Sequence, residues 1–307
     1  MSVSTALAGG RLSRAAVAAV DASRPLATAG TRPEFLGRVA DGIGLGYVTA
    51  DGRQHVAGDA HAPFSLQSIT KLFALALLLR HDGDEVWRDV GYGPSDRPYY
   101  AFGELDTSGL PANPFVNAGA LVITDRLQAL TGDAAEAVRA FVAQQSGNAA
   151  VRIDASVAAA ELARSHRNTA LAHALAAADR LTQSPAVVVE QYVRQCAITA
   201  SCVSTARAAL FAAQHGRGYD DEPVLDATTT RRLNGLLTIA GTYAASARTL
   251  FRIGLPAKSG VGGGILALVP GRGVACAWSP GLDAEGNSIG AARALEIFVD
   301  RAAIHEG

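Results

Sequence analysis

The amino-acid sequence predicts an α/β protein of the α+β type, in which helices flank one antiparallel sheet built from N- and C-terminal segments. Near the start of the chain, "GLGYVTA" and "RQHVAGD" flank Asp51-Gly52, which is a strong hairpin signal. Near the end, the strand-like segments "GILALVP" and "GVACAWS" are separated by Gly271-Arg272-Gly273. The middle of the chain looks helical. Strands and helices therefore do not alternate, and a parallel βαβ arrangement is not supported.

Helices are expected in four parts of the chain. Residues 11–22 have the pattern of a short amphipathic helix. Residues 64–80 are apolar at nearly every helical angle, so this segment should be a helix buried on all sides. Residues from 117 to about 238 look largely helical, and Ser184-Pro185 has the N-cap and first-turn residues of a helix start. A last helix, "NSIGAARALEIFVDRAAI", closes the chain.

This order of elements predicts one domain with an insertion. We expect residues 1–307 to form a single domain whose sheet subdomain comprises about residues 1–63 and 239–307. A helical subdomain would occupy about residues 64–238. A chain of 307 residues is long enough to bury a large core in this way.

The composition excludes several classes of function. Hydrophobic residues make up 49% of the chain and charged residues 18%, which is typical of a globular protein. The net charge of -1 and the lack of basic runs argue against a nucleic-acid partner. The longest apolar run, "LFALALLL", is too short to span a membrane, and no signal-peptide core is evident. We expect a cytoplasmic protein without a membrane partner.

The cysteines and histidines do not predict a metal site. Cys196, Cys202 and Cys276 are odd in number and lack C-x-x-C spacing, so neither a disulfide framework nor a zinc site is indicated. Buried free thiols are the expected state. The histidines show no H-E-x-x-H or H-x-H arrangement.

The chain contains only two lysines, Lys71 and Lys258, and otherwise uses arginine. Lys71 follows Ser68 by three residues, so the two share a helix face. With Ser65 as N-cap, Ser68 would lie in the first helical turn, where free N–H groups favour developing negative charge. A buried lysine can become neutral, whereas arginine stays protonated. The pair therefore has the chemistry of a nucleophile beside its base.

Each motif also has an ordinary explanation. S-x-x-K occurs by chance, and a lysine at a helix end usually extends to water. Lys258, however, begins a K-S-G sequence, the second basic motif of serine enzymes that use S-x-x-K. The following "SGVGGG" could be a bend entering a strand, or a close backbone approach whose N–H stabilises an oxyanion.

Longer stretches resemble the serine-dependent bacterial glutaminases, whose fold is that of class A β-lactamases and DD-peptidases. They occur in the family's order between about residues 35 and 300: "FSLQSITK", "NPFVNAGAL", "ELARSHRN", "EQYVRQC", "GTY", "RIGLPAKSGVGGGI" and "SPGLDAEGNS". The resemblance implies hydrolysis of L-glutamine to L-glutamate and ammonia through a glutamyl-serine intermediate, without a metal or organic cofactor. It also implies a homodimer or homotetramer.

The resemblance assigns roles to particular residues. Ser68 is implied as nucleophile, Lys71 as base and Tyr243 as proton carrier, with Lys258 as electrostatic support. The backbone N–H groups of Ser68 and Val261 would form an oxyanion hole. The implied substrate contacts are Ser68, Asn117, Glu161, Asn168, Tyr192, Tyr243 and Val261. Taken without the resemblance, Glu161 could be a solvated charge, Asn168 a surface amide, Asn117 a helix cap and Tyr192 a core aromatic.

Several positions depart from the family pattern. Gly42 stands where the family has a substrate-contacting tyrosine, Ala244 replaces an acid and Ala247 a glycine. "QCAI" replaces the commoner "QCSI", and residues 93–101 read "GPSDRPYYA" in place of a P-F-N-S sequence. We expect Gly42 to enlarge the substrate pocket, so that Gly42→Tyr would lower KM for glutamine.

Two other functions remain open from the sequence. S-x-x-K and K-S-G also serve small-amide and β-lactam hydrolases, and an altered pocket would suit such a substrate. A catalytically silent amino-acid-binding or scaffold protein is the second alternative, which the departures at Gly42 and Ala244 keep open.

Overall fold

The computed structural model describes residues 3–37, 39–94, 97–102 and 105–304. The helices within these residues are α1 (Val3–Ser23), α2 (Thr70–Asp82), α3 (Asn117–Thr131), α4 (Ala134–Ser146), α5 (Ala155–Leu162), α6 (His166–Ala177), α7 (Pro185–Cys196), α8 (Cys202–Ala208), α9 (Leu210–Ala213), α10 (Ala227–Ala240), α11 (Ser246–Ile253) and α12 (Ile289–Ala302). The strands are β1 (Gly44–Thr49), β2 (Gln54–Gly58), β3 (Phe64–Ser65), β4 (Arg152–Ile153), β5 (Ile198–Ala200), β6 (Ala257–Ser259), β7 (Gly264–Val269) and β8 (Gly273–Trp278).

The main sheet is antiparallel and has the strand order β2-β1-β8-β7-β6. Strand β1 pairs with β8 from Gly44 opposite Trp278 to Thr49 opposite Gly273, so the two parts of the chain meet at the centre of the sheet. The predicted hairpin β1–β2 is present, and the two strand-like segments near the end of the chain form the antiparallel pair β7–β8. The predicted fold class is therefore confirmed.

Helices cover both faces of this sheet. Strands β1, β7 and β8 are buried at every residue, whereas edge strand β2 alternates between exposed and buried positions. On one face, α1 and α12 form a core with the sheet, in which Phe298 of α12 packs on Tyr47 of β1. On the other face, side chains of β7 and β8 join the core of the helical layer, with Trp278 among them. Burial on both faces explains why these strands read as nearly continuous apolar runs.

The helical layer matches the expected elements in most respects. Helix α2 is buried at all but one of the residues from Thr70 to Leu79, as its apolar sequence predicts. Ser184 caps α7 by accepting a hydrogen bond from the Val187 N–H, and Pro185 occupies the first turn. The boundary between a sheet subdomain and a helical subdomain stays a prediction.

The predicted N-cap of α2 is wrong. Phe64–Ser65 forms strand β3, a 3₁₀ turn follows at Gln67–Ile69, and α2 begins at Thr70. The Ser65 hydroxyl donates to the Cys196 carbonyl and so is not available as a cap. Ser68 consequently lies in the 3₁₀ turn just before α2. A short second sheet, β3-β5-β4, holds this segment against α7 and β5, and the sequence pattern did not indicate it.

The glycine-rich segment approaches the backbone around Ser68 closely. A Cβ on Gly260 would lie 2.5 Å from the Leu66 carbonyl oxygen, and one on Gly262 would lie 1.8 Å from that of Ser65. Real side chains do not tolerate such distances, so these positions require glycine. The geometry agrees with the close-approach interpretation of "SGVGGG".

Two further observations concern the whole of the described chain. All three cysteines are buried and form no disulfide, as expected. Among the helices described, none combines the length and the apolar character needed to cross a membrane.

Two glycine substitutions should change stability in opposite directions. Gly262→Ala places a methyl group against the Ser65 carbonyl, and we expect a loss of about 2 kcal/mol or more in the free energy of unfolding. Gly235 lies in α10, and no described atom outside its own helix backbone and chain neighbours lies within 4 Å of where a Cβ would be, so Gly235→Ala should add about 0.5–1 kcal/mol. Thermal and urea unfolding of both variants measure these changes. Equal effects of the two substitutions would contradict the close approach.

Candidate active site

A cleft of about 420 Å³ brings together most of the residues singled out in the sequence. Six of them line it: Ser68, Asn117, Glu161, Asn168, Tyr192 and Val261. They come from the 3₁₀ turn, α3, α5, α6, α7 and the glycine-rich segment. The other three, Lys71, Lys258 and Tyr243, are buried. Hydrogen bonds connect these three to one another and to Asn117.

The two lysine side chains converge on one phenol. The Lys71 Nζ lies 2.8 Å from the Phe115 carbonyl oxygen, 2.7 Å from Asn117 Oδ1 and 3.5 Å from Tyr243 Oη. The Lys258 Nζ lies 3.1 Å from Tyr243 Oη and 2.8 Å from the Ser259 carbonyl oxygen. A neutral amine has two N–H donors and one lone pair. When a neutral Lys71 donates to its two nearest acceptors, its lone pair remains available to accept a proton.

Burial makes both amines easier to deprotonate. Loss of hydration lowers the pKa of Lys71 from 10.5 to about 7, although Cys196 and Glu161 oppose this shift. Burial also lowers the pKa of Lys258 well below its usual value, and the nearby positive charge of Lys71 lowers it further. A neutral Lys71 is therefore accessible near pH 7, as its position in the sequence predicts.

Tyr243 is held in an unusual conformation between these lysines. Its φ of +58° is left-handed, which is rare for a residue with a large side chain. Its ring centroid lies 4.8 Å from that of Tyr99 and 4.2 Å from the Lys258 Nζ. Burial raises the pKa of the Tyr243 phenol, and a hydrogen bond with Ser68 opposes this. The phenol is consequently protonated at neutral pH and contacts the Ser68 hydroxyl.

Asn117 links the lysines to the open part of the cleft. Its Oδ1 accepts hydrogen bonds from the Lys71 Nζ and, at 3.2 Å, from the Tyr192 hydroxyl. Its Nδ2 donates to Asn168 Oδ1 at 2.9 Å. Asn117 is the first residue of α3, and the N-cap position before it is occupied by Val116. Its amide instead connects α2, α6 and α7 through polar contacts, and the ordinary explanation of a helix cap does not apply.

Glu161 provides the carboxylate of the cleft. Gln67 Nε2 donates to Glu161 Oε2 at 3.1 Å and also to the Ser65 hydroxyl at 3.0 Å. Burial raises the pKa of Glu161 from 4.5 to about 7, although the Gln67 hydrogen bond and the Lys71 charge oppose the rise. A cation placed beside this carboxylate would favour its ionised form.

Sequence reasoning did not identify Gln67, Tyr99 or Phe35, which also line the cleft. Gln67 lies within a stretch that carries the resemblance, and its φ of +49° is again left-handed. Tyr99 belongs to the segment 93–101, which the sequence marks only as a departure from the family. Within that segment, residues 95 and 96 lie outside the described part of the chain. Tyr99 anchors α3, because its carbonyl accepts a hydrogen bond from the Asn117 N–H.

The expected effect of Gly42 on glutamine binding stays a prediction. Gly42 is not among the described residues that line the cleft. A Cβ at this position would lie 2.3 Å from the Asp59 carboxylate and 3.4 Å from the Trp278 ring. A side chain at position 42 would therefore require the Asp59 carboxylate to move. The cleft instead has its aromatic residues at Phe35, Tyr99 and Tyr100.

The fold and the cleft together define the class of protein. An antiparallel sheet with helices on both faces, and a cleft that contains Ser68, two buried lysines and a tyrosine beside it, match hydrolases with the β-lactamase-like fold. A solved structure described as the probable glutaminase ybaS aligns with a TM-score of 0.88 and 28% identity, over 97% of this chain and 99% of that one. A structure of Mglu in its glutamate form aligns with a TM-score of 0.86 and 31% identity, over 95% and 69%.

Sequence relatives identify the family within this class. The glutaminase of Streptomyces coelicolor is 43% identical over 267 residues, which is 87% of each chain. That of Caulobacter vibrioides is 46% identical over 258 residues, or 83% of this chain and 84% of the relative. The Glutaminase family model matches residues 28–306. The chain belongs to the glutaminase family.

The burial of the thiols gives a test of the packing beneath the cleft. Burial raises the pKa values of Cys196 and Cys202, so both thiols should be protonated and shielded in the folded protein. We expect an aromatic disulfide reagent at about pH 8 to label none of the three cysteines in the native protein and all three in denaturant. Rapid labelling of Cys196 in the native state would contradict the packing of α7 under the cleft.

Proposed function

We propose that this chain hydrolyses L-glutamine to L-glutamate and ammonia through a glutamyl-serine intermediate, with Ser68 as nucleophile and Lys71 as its base. The observation that carries the proposal is the buried Lys71 amine, three residues from Ser68, whose pKa of about 7 makes the neutral form accessible. Membership of the glutaminase family supports glutamine as the substrate.

In the first step, the neutral Lys71 amine takes the proton of the Ser68 hydroxyl as its oxygen attacks the side-chain amide carbon. Negative charge develops on the amide oxygen. The backbone N–H groups of Ser68 and Val261 receive this charge. This role is supported by the close packing of the glycine-rich segment, since a Cβ on Gly260 would lie 3.2 Å from the Ser68 nitrogen. Ser68 also lies just before α2, where the helix dipole favours an anion.

In the second step, Tyr243 gives its proton to the departing nitrogen, and the C–N bond breaks to release ammonia. Tyr243 is suited to this because burial keeps its phenol protonated and the Lys258 and Lys71 amines adjoin its oxygen. Either amine stabilises the phenolate that remains, and Lys71 returns the proton. A water molecule then attacks the glutamyl ester, and the same groups transfer the protons in the opposite order. This step releases glutamate and restores the Ser68 hydroxyl.

The polar groups of the cleft suit a free amino acid. Glu161 pairs with the α-ammonium group, while Asn117, Asn168 and Tyr192 hold the α-carboxylate and the side-chain amide. These four residues line the cleft with Ser68, and the hydrogen bonds of Asn117 fix the amide positions. Binding of the ammonium group lowers the pKa of Glu161, because the ionised carboxylate then has a partner.

The assembly and location of the protein stay predictions. A homodimer or homotetramer and a cytoplasmic location follow from the resemblance and from the composition. The assignment of residues 1–307 to a single catalytic domain also stays a prediction.

Substitution of Lys71 and Ser68 tests the proposed chemistry. Lys71→Arg keeps a positive charge but removes the proton-accepting amine, so kcat for glutamine should fall by about 10²–10⁴-fold. Ser68→Ala should remove the covalent route and reduce activity at least as much. Ammonia release is measured with glutamine, asparagine and a β-lactam. Arg232→Lys, at the exposed Arg232–Asp84 pair, is a matched control that should change nothing.

A Lys71→Arg variant that keeps an activity near that of the wild type would contradict the role of Lys71 as base. A folded wild-type protein that does not hydrolyse glutamine but hydrolyses the β-lactam or asparagine would contradict glutamine as the substrate. Binding of glutamine without hydrolysis would indicate a silent homologue.

The pH dependence should reflect Lys71. Its pKa in the folded protein is about 7, so the neutral base accumulates as the pH rises, and kcat/KM should increase between about pH 6 and 8. Glu161, whose pKa is also about 7, ionises in the same direction and strengthens substrate binding. In the Glu161→Gln variant, KM for glutamine should be higher than in the wild type at every pH. Its kcat should still increase as the pH rises. A rate that falls over the same pH range would contradict an unprotonated Lys71.

A further inference from the structure

Asn113 is the first residue of the stretch "NPFVNAGAL", and the proposed chemistry gives it no role. Its side chain is buried and is not among the described groups that line the Ser68 cleft. The Asn113 Oδ1 accepts hydrogen bonds from the backbone N–H groups of Phe115, at 2.9 Å, and Val116, at 3.1 Å. Its Nδ2 donates to the Gly93 carbonyl oxygen at 3.0 Å. A buried amide that uses both its oxygen and its nitrogen fixes the backbone around it.

One of the peptide groups that Asn113 holds also binds the Lys71 amine. The Phe115 carbonyl and the Val116 N–H belong to the same planar peptide group and point in opposite directions. The N–H donates to Asn113 Oδ1, and the carbonyl oxygen lies 2.8 Å from the Lys71 Nζ. The other near acceptor of Lys71 is Asn117 Oδ1, only two residues further along the chain. Asn113 therefore lies directly behind the acceptors that hold this amine.

Close packing keeps this segment in one position. A Cβ on Gly119, in the first turn of α3, would lie 2.0 Å from the Asn113 carbonyl oxygen, so the helix backbone passes directly against it. On the other side, the Gly93 N–H donates to the Ala112 carbonyl oxygen at 2.9 Å. The Asn113 side chain adds the bond that holds the Phe115–Val116 peptide group itself. Its removal would loosen that group without changing a group that lines the Ser68 cleft.

We propose that Asn113 is a positioning residue for the Lys71 base, which it orients through the peptide group that joins Phe115 to Val116. The inference rests on the proposed function and adds a residue to it. A neutral Lys71 that donates to the Phe115 carbonyl and to Asn117 has its lone pair in a fixed direction. When the peptide group can turn, this direction is no longer fixed, and proton transfer from the Ser68 hydroxyl becomes slower.

The same peptide group affects the protonation of Lys71. A carbonyl oxygen binds an ammonium group more strongly than an amine, because the hydrogen bond is then charge-assisted. Loss of the fixed Phe115 carbonyl should therefore lower the pKa of Lys71 further below its value of about 7. A substitution at Asn113 leaves the other ionisable groups around Lys71 in place, namely Tyr99, Glu161, Tyr192, Cys196, Tyr243 and Lys258.

The kinetics of Asn113→Ala with glutamine test this inference. We expect kcat to fall about tenfold near pH 8 and KM to stay within about twofold, because no proposed substrate contact changes. The rise of kcat with pH should move to lower pH, so the loss should be smaller near pH 6 than near pH 8. The pH dependence of kcat is used because the bound ammonium group keeps Glu161 ionised in the complex with substrate.

Asn113→Ser is the conservative variant. A serine hydroxyl at this place in a turn can accept a backbone N–H as asparagine does, although more weakly. We expect its kcat and the position of its pH dependence to lie between those of the wild type and Asn113→Ala. Urea unfolding shows that each variant is folded before its kinetics are compared.

The lysine content of the chain permits a direct measurement of the Lys71 pKa. The chain has only two lysines, so protein labelled with ¹³C at the lysine Cε gives two lysine signals in an NMR spectrum. The signal that is lost in Lys71→Arg identifies Lys71. Its titration in Asn113→Ala should give a pKa lower than that of the wild type by about half a pH unit or more.

Asn148→Ala is the matched control. The Asn148 Oδ1 also accepts the N–H two residues further on, from Ala150 at 2.9 Å, and its Nδ2 donates to the Ser204 hydroxyl at 2.9 Å. Asn148 is not among the described residues that line the Ser68 cleft. This variant should lose stability but keep the kcat, the KM and the Lys71 pKa of the wild type.

Two results would overturn the inference. One is a folded Asn113→Ala variant with the kcat and the Lys71 pKa of the wild type, and the other is a loss of kcat that is equal at every pH. If Asn113→Ala does not fold, wild-type values in a folded Asn113→Ser variant have the same meaning. A wild type that does not hydrolyse glutamine overturns the proposed function instead, and the NMR titration then still tests whether Asn113 controls Lys71.

Discussion

The burial of two amines around one phenol is the constraint on which the rest of the site depends. Lys71 and Lys258 both contact the Tyr243 hydroxyl and have almost no access to water. Two charged ammonium groups this close would be very unfavourable, so the site is stable with at least one of them neutral. The carbonyl oxygens of Phe115 and Ser259 and the amide of Asn117 supply the acceptors that such amines need. Neutral amines in fixed hydrogen bonds are what a serine nucleophile requires as a base.

Two of the six described non-glycine residues with positive φ angles lie at the same place. Gln67 and Tyr243 both have left-handed φ angles, which cost about 1–3 kcal/mol each and persist only where the surroundings enforce them. At Gln67, the enforcing contacts are strand β3, the hydrogen bonds of its amide and the glycine-rich segment. At Tyr243, they are Tyr99 and the Lys258 amine. Both strained residues adjoin the proposed chemistry, where fixed geometry is most valuable.

Local sequence patterns were sufficient for much of the fold, because hairpin turns, the cap at Ser184 and the apolar helix α2 depend on neighbouring residues. The two lysines were recognisable because the chain otherwise avoids lysine. The 3₁₀ turn at Ser68 could not be recognised from the sequence, because it is imposed by β5 and the glycine-rich segment, which are distant in sequence. Tyr99 was missed because loops carry little periodic signal.

The pairing of β1 with β8 has a consequence for how the protein is made. Gly44 pairs with Trp278, so a strand synthesised early finds its central partner only when nearly the whole of this sequence has left the ribosome. Until then β1 has one unsatisfied edge, and its apolar faces are uncovered. Contacts so distant in sequence are slow to form. Lys258 lies on β6, in the same C-terminal part of the chain, so its contact with Tyr243 also forms only after that part has been synthesised. A nascent chain therefore lacks the assembled site, which confines the chemistry to the finished protein.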